Sequence, residues 1–191
     1  FQSTILDVQS VAGRDTDDEG YLSPIIDDKG NMIYAYKHTS TSIKLIHRRP
    51  DGTENEIAST NQYGWKQPML IGDAIYYVRG TGNKIDKYNI TSETKTTSWH
   101  NIKSGFSVSY LKVATDGQYI WVSWSENNNK RIYIKYIDVS NPGGMGQETE
   151  IFTSSSSYSW KSISFPRGYD SHNRKTGKIY VFLTVYNNYG W

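Results

Sequence analysis

Four short stretches decide the fold: Gly30-Asn31-Met32-Ile33-Tyr34, Gly72-Asp73-Ala74-Ile75-Tyr76, Gly117-Gln118-Tyr119-Ile120-Trp121 and, one residue shorter, Gly177-Lys178-Ile179-Tyr180. Each is a glycine turn followed by isoleucine and a large aromatic residue. The isoleucines stand 42, 45 and 59 residues apart. One element returning at such a spacing marks a repeated supersecondary unit, and a repeat settles architecture before any single segment does.

Working outward, a second element follows each of the first three copies: Ile43-Lys44-Leu45-Ile46, Ile85-Asp86-Lys87-Tyr88 and Ile132-Tyr133-Ile134-Lys135-Tyr136. Large apolar and polar residues alternate there with period two, as in a strand with one face in a core. Turn-formers separate the two elements at His38 to Ser42, Gly80 to Asn83 and Glu126 to Lys130. A short apolar strand precedes each glycine turn: Leu22 to Ile26, Pro68 to Ile71, Tyr110 to Ala114 and Ser162 to Phe165. A more polar strand closes the unit, at Glu54 to Ala58 in the first copy and Glu148 to Thr153 in the third. A polar last strand suits an outer edge, which faces water and must resist pairing with other chains.

No helical pattern of about ten residues appears anywhere. Four strands per unit, repeated at about 45 residues, are the signature of β-propeller blades. A β-sandwich is the alternative, but it does not require its hairpins to resemble one another. The reading is therefore an all-β propeller of about three and a half four-stranded blades. The units span 21–62, 63–106 and 107–157, with an incomplete one from 158 to 191. Ahead of them, residues 1–20 read as a leading strand, Ser3 to Val8, and an acidic linker. The last unit ends at Trp191 inside a turn, which predicts an open ring. Such a ring is an excerpt of a larger propeller, or is closed by the leading strand, or is covered by another copy of the chain. The break inside a hairpin favours the excerpt; Phe1 at the start, in place of Met, fits either a removed leader or an excerpt of a longer chain.

Composition narrows the function. The 191 residues carry 21 Lys and Arg against 19 Asp and Glu, with no basic block, which argues against nucleic acid held by its phosphates. There is no cysteine, hence no disulfide and no thiolate ligand or nucleophile. No apolar run is long enough for a membrane-spanning helix. The aromatic content is 16 Tyr and 6 Trp against 5 Phe. Tyr and Trp combine a flat apolar face with a polar tip, which suits half-exposed sheet and contact with sugars or proteins.

In Asp116-Gly117-Gln118-Tyr119-Ile120-Trp121-Val122-Ser123-Trp124-Ser125 and Arg131-Ile132-Tyr133-Ile134-Lys135-Tyr136 the chain resembles the BNR-type, sialidase-like propeller repeats of bacterial secreted and phage proteins. The resemblance implies a propeller in an extracellular, cell-surface or virion-appendage setting. That family's Ser-x-Asp-x-Gly-x-x-Trp box has only Arg49-Pro50-Asp51-Gly52-Thr53 as its nearest counterpart, so no sialidase catalytic residue carries over.

Candidate ligand-binding residues lie in loops leading into inner strands: Tyr63, Trp65 and Lys66, then Tyr158, Trp160 and Lys161. Tyr189-Gly190-Trp191 repeats their pattern. A ring of aromatics with adjacent lysines would stack on sugars and pair with acidic groups. The competing reading is that these tryptophans wedge between neighbouring blades as core. Asp15, Asp17 and Glu19, followed by Gly20, space carboxylates as calcium-binding loops do; a solvated acidic linker is the alternative. The four histidines show no ligand spacing, and Asp170-Ser171-His172 lies in an insertion from Pro166 to Thr176 without forming a dyad. The expected function is a non-catalytic module recognising glycan or protein. Alternatives are a structural propeller segment of a surface layer, filament or fibre, and a polysaccharide lyase or glycosidase. Expected partners are a glycan or protein, and further blades or another copy at the open ends. No cofactor other than calcium is expected.

Overall fold

A computed structural model describes residues 24–39, 42–60, 68–78, 83–103, 109–115, 117–126, 131–142, 146, 148–153, 159–164, 172–173, 178–179 and 182–186. Each glycine-turn element opens the second strand of a sheet. The first sheet joins β1 (Ile25–Ile26), β2 (Met32–Thr39), β3 (Ser42–Arg48) and β4 (Glu54–Thr60). The second joins β5 (Met69–Ile71), β6 (Ala74–Val78), β7 (Lys84–Asn89) and β8 (Lys95–Asn101). The third joins β9 (Ser109–Thr115), β10 (Tyr119–Glu126), β11 (Arg131–Asp138) and β12 (Thr149–Thr153).

All three are antiparallel, and in each the spatial order follows the chain. The innermost strands of successive sheets lie side by side, β5 with β9 and β9 with β13 (Ser159–Ser164). Successive meanders with neighbouring inner strands are the blades of a β-propeller, and the described residues contain no helix.

The fourth unit departs from the sequence reading in one respect. β13 pairs with Phe182–Tyr186, here β16, placing Leu183 opposite Ile163. Ile179, the isoleucine of the fourth glycine element, instead lies in β15 (Lys178–Ile179), opposite His172 of β14 (His172–Asn173). The fourth hairpin thus carries an extra two-stranded tip.

Two apolar seams hold the three full blades together. Between the first and second lie Ile33, Leu45 and Ile57 with Ile75, Tyr77, Tyr88 and Ile90. Between the second and third lie Tyr76, Val78, Ile85 and Ile102 with Leu111, Ile120, Val122, Trp124 and Ile137. The motif isoleucine changes sides between blades: Ile33 faces forward onto blade 2, whereas Ile75 and Ile120 face back onto the preceding blade.

The outer strands are polar, as expected of edges, and they carry a feature that the pattern does not reveal. Each ladder between third and fourth strands has a register shift, at Leu45/Ile46, Ile85/Lys87 and Ile132/Tyr133. Bulges twist an edge and interrupt its row of free backbone groups, which discourages pairing with other chains. In blade 2, Ile85 pairs with His100 and Lys87 with Thr96, so three residues, Thr97, Ser98 and Trp99, oppose Asp86 alone. Ser98 adopts a positive φ of 53° there and donates its N–H to the buried Asp86 Oδ1 at 2.7 Å.

Candidate binding surface

The propeller has two faces. The loop face carries connections between blades and between second and third strands. The turn face carries the glycine turns and the turns between third and fourth strands. Most residues singled out on the loop face, Tyr63, Trp65, Lys66 and Tyr158, and likewise 189–191, fall outside the described residues, as do Asp15, Asp17 and Glu19. The backbone of Trp160 and Lys161 runs within β13, with Trp160 opposite Val185 and a register shift just beyond. Trp160 therefore enters the strand rather than the loop ahead of it.

The described part of the loop face is dominated by a cluster that ties blade 2 to blade 3. Lys103, just past β8, donates from Nζ to Glu126 Oε1 at 2.6 Å and to Glu148 Oε1 at 2.9 Å. Its ammonium lies 5.8 Å from the Trp124 ring centroid and 5.1 Å from that of Tyr133. Those two rings stack with centroids 5.7 Å apart, and Trp124 Nε1–H donates to Glu126 Oε1 at 2.7 Å. Burial disfavours charge on Lys103, but the two glutamates outweigh it and raise its pKa. Trp124 is fully buried. Here a tryptophan with adjacent lysine works as a wedge between blades.

The turn face holds two further groups. At the seam of blades 1 and 2, His47 is buried, with Nδ1 at 3.0 Å from the Tyr88 hydroxyl and Nε2 at 3.0 Å from Asn31 Oδ1. Arg49 Nε donates to Glu93 Oε1 at 2.6 Å, and Asn55 Nδ2 reaches Glu93 Oε2 at 3.4 Å. Every polar side chain in this group has a partner inside it, so it reads as a joint rather than a receptor.

The second group lies at the turn-face end of blade 3, next to the glycine turn, on the sheet side that faces away from blade 2. Trp121 and Tyr136 are cross-strand partners, and Tyr119 lies two residues before Trp121 on the same side. Ring centroids are 5.4 Å apart for Trp121 and Tyr136, 5.3 Å for Tyr119 and Tyr136, and 6.3 Å for Tyr119 and Trp121. Such edge and tilted contacts are favourable aromatic geometry. Tyr136 is 37 % exposed. Gly146 lies against its ring so closely that a methyl group would strike ring carbons, and the Gly146 N–H donates to the Tyr136 carbonyl at 3.2 Å. Gln118 Nε2 donates to the Tyr119 hydroxyl at 3.1 Å.

This trio was not among the residues picked from the sequence. Its members were visible only as repeat positions. The signal that marks them is that, of the three motif aromatics among the described residues, only that of blade 3 faces another aromatic; the counterparts pair Tyr34 with Ile46 and Tyr76 with Lys87.

No group of three or more His, Asp or Glu side chains among the described residues is arranged to hold a metal ion. No helix among them is long and apolar enough to cross a membrane. No protein-family profile and no curated protein matches the sequence. Among solved structures, an oligogalacturonate lyase in complex with manganese matches at a TM-score of 0.44 and 12 % identity, over 79 % of this chain and 48 % of the lyase. The chain thus spans about half the length of that enzyme. A likeness this distant brings neither its activity nor its manganese to this chain.

Proposed function

We propose that the chain is a non-catalytic binding module of an exported, cell-surface or virion-appendage protein, recognising a glycan or a protein through clustered aromatic side chains on one propeller face. The observation that carries this reading is the Tyr119, Trp121 and Tyr136 cluster, with Tyr136 half-exposed and its ring backed by Gly146. A ring held from behind loses little freedom when a ligand stacks on it.

A glycan array, followed by titration of the best ligand, tests the proposal. Tyr136→Ala is expected to weaken binding about tenfold or more, with the unfolding transition retained. Gly146→Ala, which pushes the ring from its seat, is expected to weaken it less. Trp65→Ala and Trp160→Ala probe the loop face in the same assay. Loss of binding in those two with none in Tyr136→Ala would move the site to the loop face. Unchanged binding in all four variants would remove the aromatic reading.

A further inference from the structure

The seam between blades 2 and 3 contains a titratable group that the binding surface does not use. His100, near the end of β8, is 7 % exposed, and its Nε2 meets no hydrogen-bond partner among the described residues. Its ring lies 5.9 Å from that of Trp99, which packs edge-on to Tyr76 at 4.8 Å. Two residues further on, the Ile102 carbonyl accepts the ammonium of Lys135 at 3.1 Å, which brings a lysine of blade 3 across the seam. Lys135 is thus the charged group whose field reaches His100, and Lys135 in turn feels Glu148 and Lys103. Lys103 is already bonded to Glu126 and Glu148, so the acidic groups of the seam have their cation.

A proton arriving on His100 therefore finds no acceptor at Nε2 among the described residues and a like charge whose field opposes it. We infer that the seam is an acid-operated joint, in which protonation of His100 loosens blade 3 from blade 2. Burial, and then Lys135, hold the His100 pKa down to about 4, against an ordinary value near 6.5. The sign follows. The closed seam prefers the neutral ring, so its stability is complete above about pH 6.5 and drains away as pH falls towards 4. At that limit the opening equilibrium rises by about 300-fold.

Hydrogen exchange at a series of pH values between 7 and 4.5, expressed as protection relative to intrinsic rates, reads this opening. Protection of β7, β8, β10 and β11 is expected to fall steeply with acid while that of β2 and β3 falls less. His100→Gln is expected to flatten the fall, whereas His47→Gln leaves it in place. An equally steep fall in His100→Gln would overturn the inference. Should that variant fail to fold, NMR titration of the wild-type imidazoles decides. A His100 midpoint well below 6 supports the joint, and one at 6.5 overturns it.

Discussion

The two seams solve one packing problem with opposite polar trim. Between blades 1 and 2 the apolar contact is aliphatic and tyrosyl, and its polar tie lies on the turn face. Between blades 2 and 3 a buried tryptophan fills the contact, and the tie lies on the loop face. Each seam also contains a buried histidine, and there the contrast is sharpest. His47 has hydrogen-bond partners at both ring nitrogens and lies 3.8 Å from the Glu93 carboxylate. His100 Nε2 has no partner among the described residues, and the charge whose field reaches it is a lysine. Burial depresses both pKa values, yet only His47 has an acid at hand to receive the charge. Burial therefore makes both seams prefer a neutral imidazole, but Glu93 softens the acid response of the first while Lys135 sharpens that of the second.

The largest test of this contrast removes the wedge. Trp124→Ala deletes a fully buried indole, its stacking on Tyr133 and its bond to Glu126. A loss of about 3–5 kcal/mol in unfolding free energy by urea titration is expected. A cost near 1 kcal/mol would mean that the second seam does not depend on its tryptophan.

Tyr88→Phe probes the first seam more gently. It keeps the ring in the core and removes only the hydroxyl that serves His47 and Asn55. A buried ring nitrogen left without its partner costs about 1–2 kcal/mol. The same titration applied to Tyr76→Phe, whose hydroxyl takes no part in that joint, gives the reference. Equal losses in the two variants would show that the hydroxyl does not tie the first seam.

The seams also show what could be read from the chain beforehand. Strands, turns and period were legible, because alternation and glycine turns are local properties. Glu54 to Ala58 was expected as an outer strand, and β4 runs Glu54–Thr60. Which seam a motif residue enters was not legible. The closing pairs Ile26 with Met32, Ile71 with Ala74 and Thr115 with Ile120 leave loops of five, two and four residues. The odd loop of blade 1 shifts the alternation by one, and a one-residue shift exchanges the two faces of a strand. So Ile33 turns forward while Ile75 and Ile120 turn back, despite the same motif. The aromatic trio was hidden for a related reason, since it needs the register that sets Trp121 opposite Tyr136. Nothing in the sequence marks His100 off from the other histidines; its burial and the field of Lys135 arise only on folding.

The smallest effect comes from the outer half of blade 2, where two non-glycine residues adopt positive φ, Glu93 at 54° and Ser98 at 53°. A side chain in that conformation costs about 1 kcal/mol relative to glycine. The exposed Ser98 contributes its backbone N–H to Asp86, and glycine donates the same bond. Against this, glycine loses more freedom on folding, by roughly 0.5 kcal/mol. Ser98→Gly is therefore expected to stabilise slightly, by about 0.5 kcal/mol, or about 1–2 °C in melting temperature. Glu93→Gly relieves the same backbone but also takes the carboxylate from Arg49 and Asn55, so its balance is expected to be less favourable. The difference between the two variants isolates what the Glu93 carboxylate adds to the first seam. Should both stabilise equally, that carboxylate adds nothing, and the joint rests on His47 and Tyr88 alone.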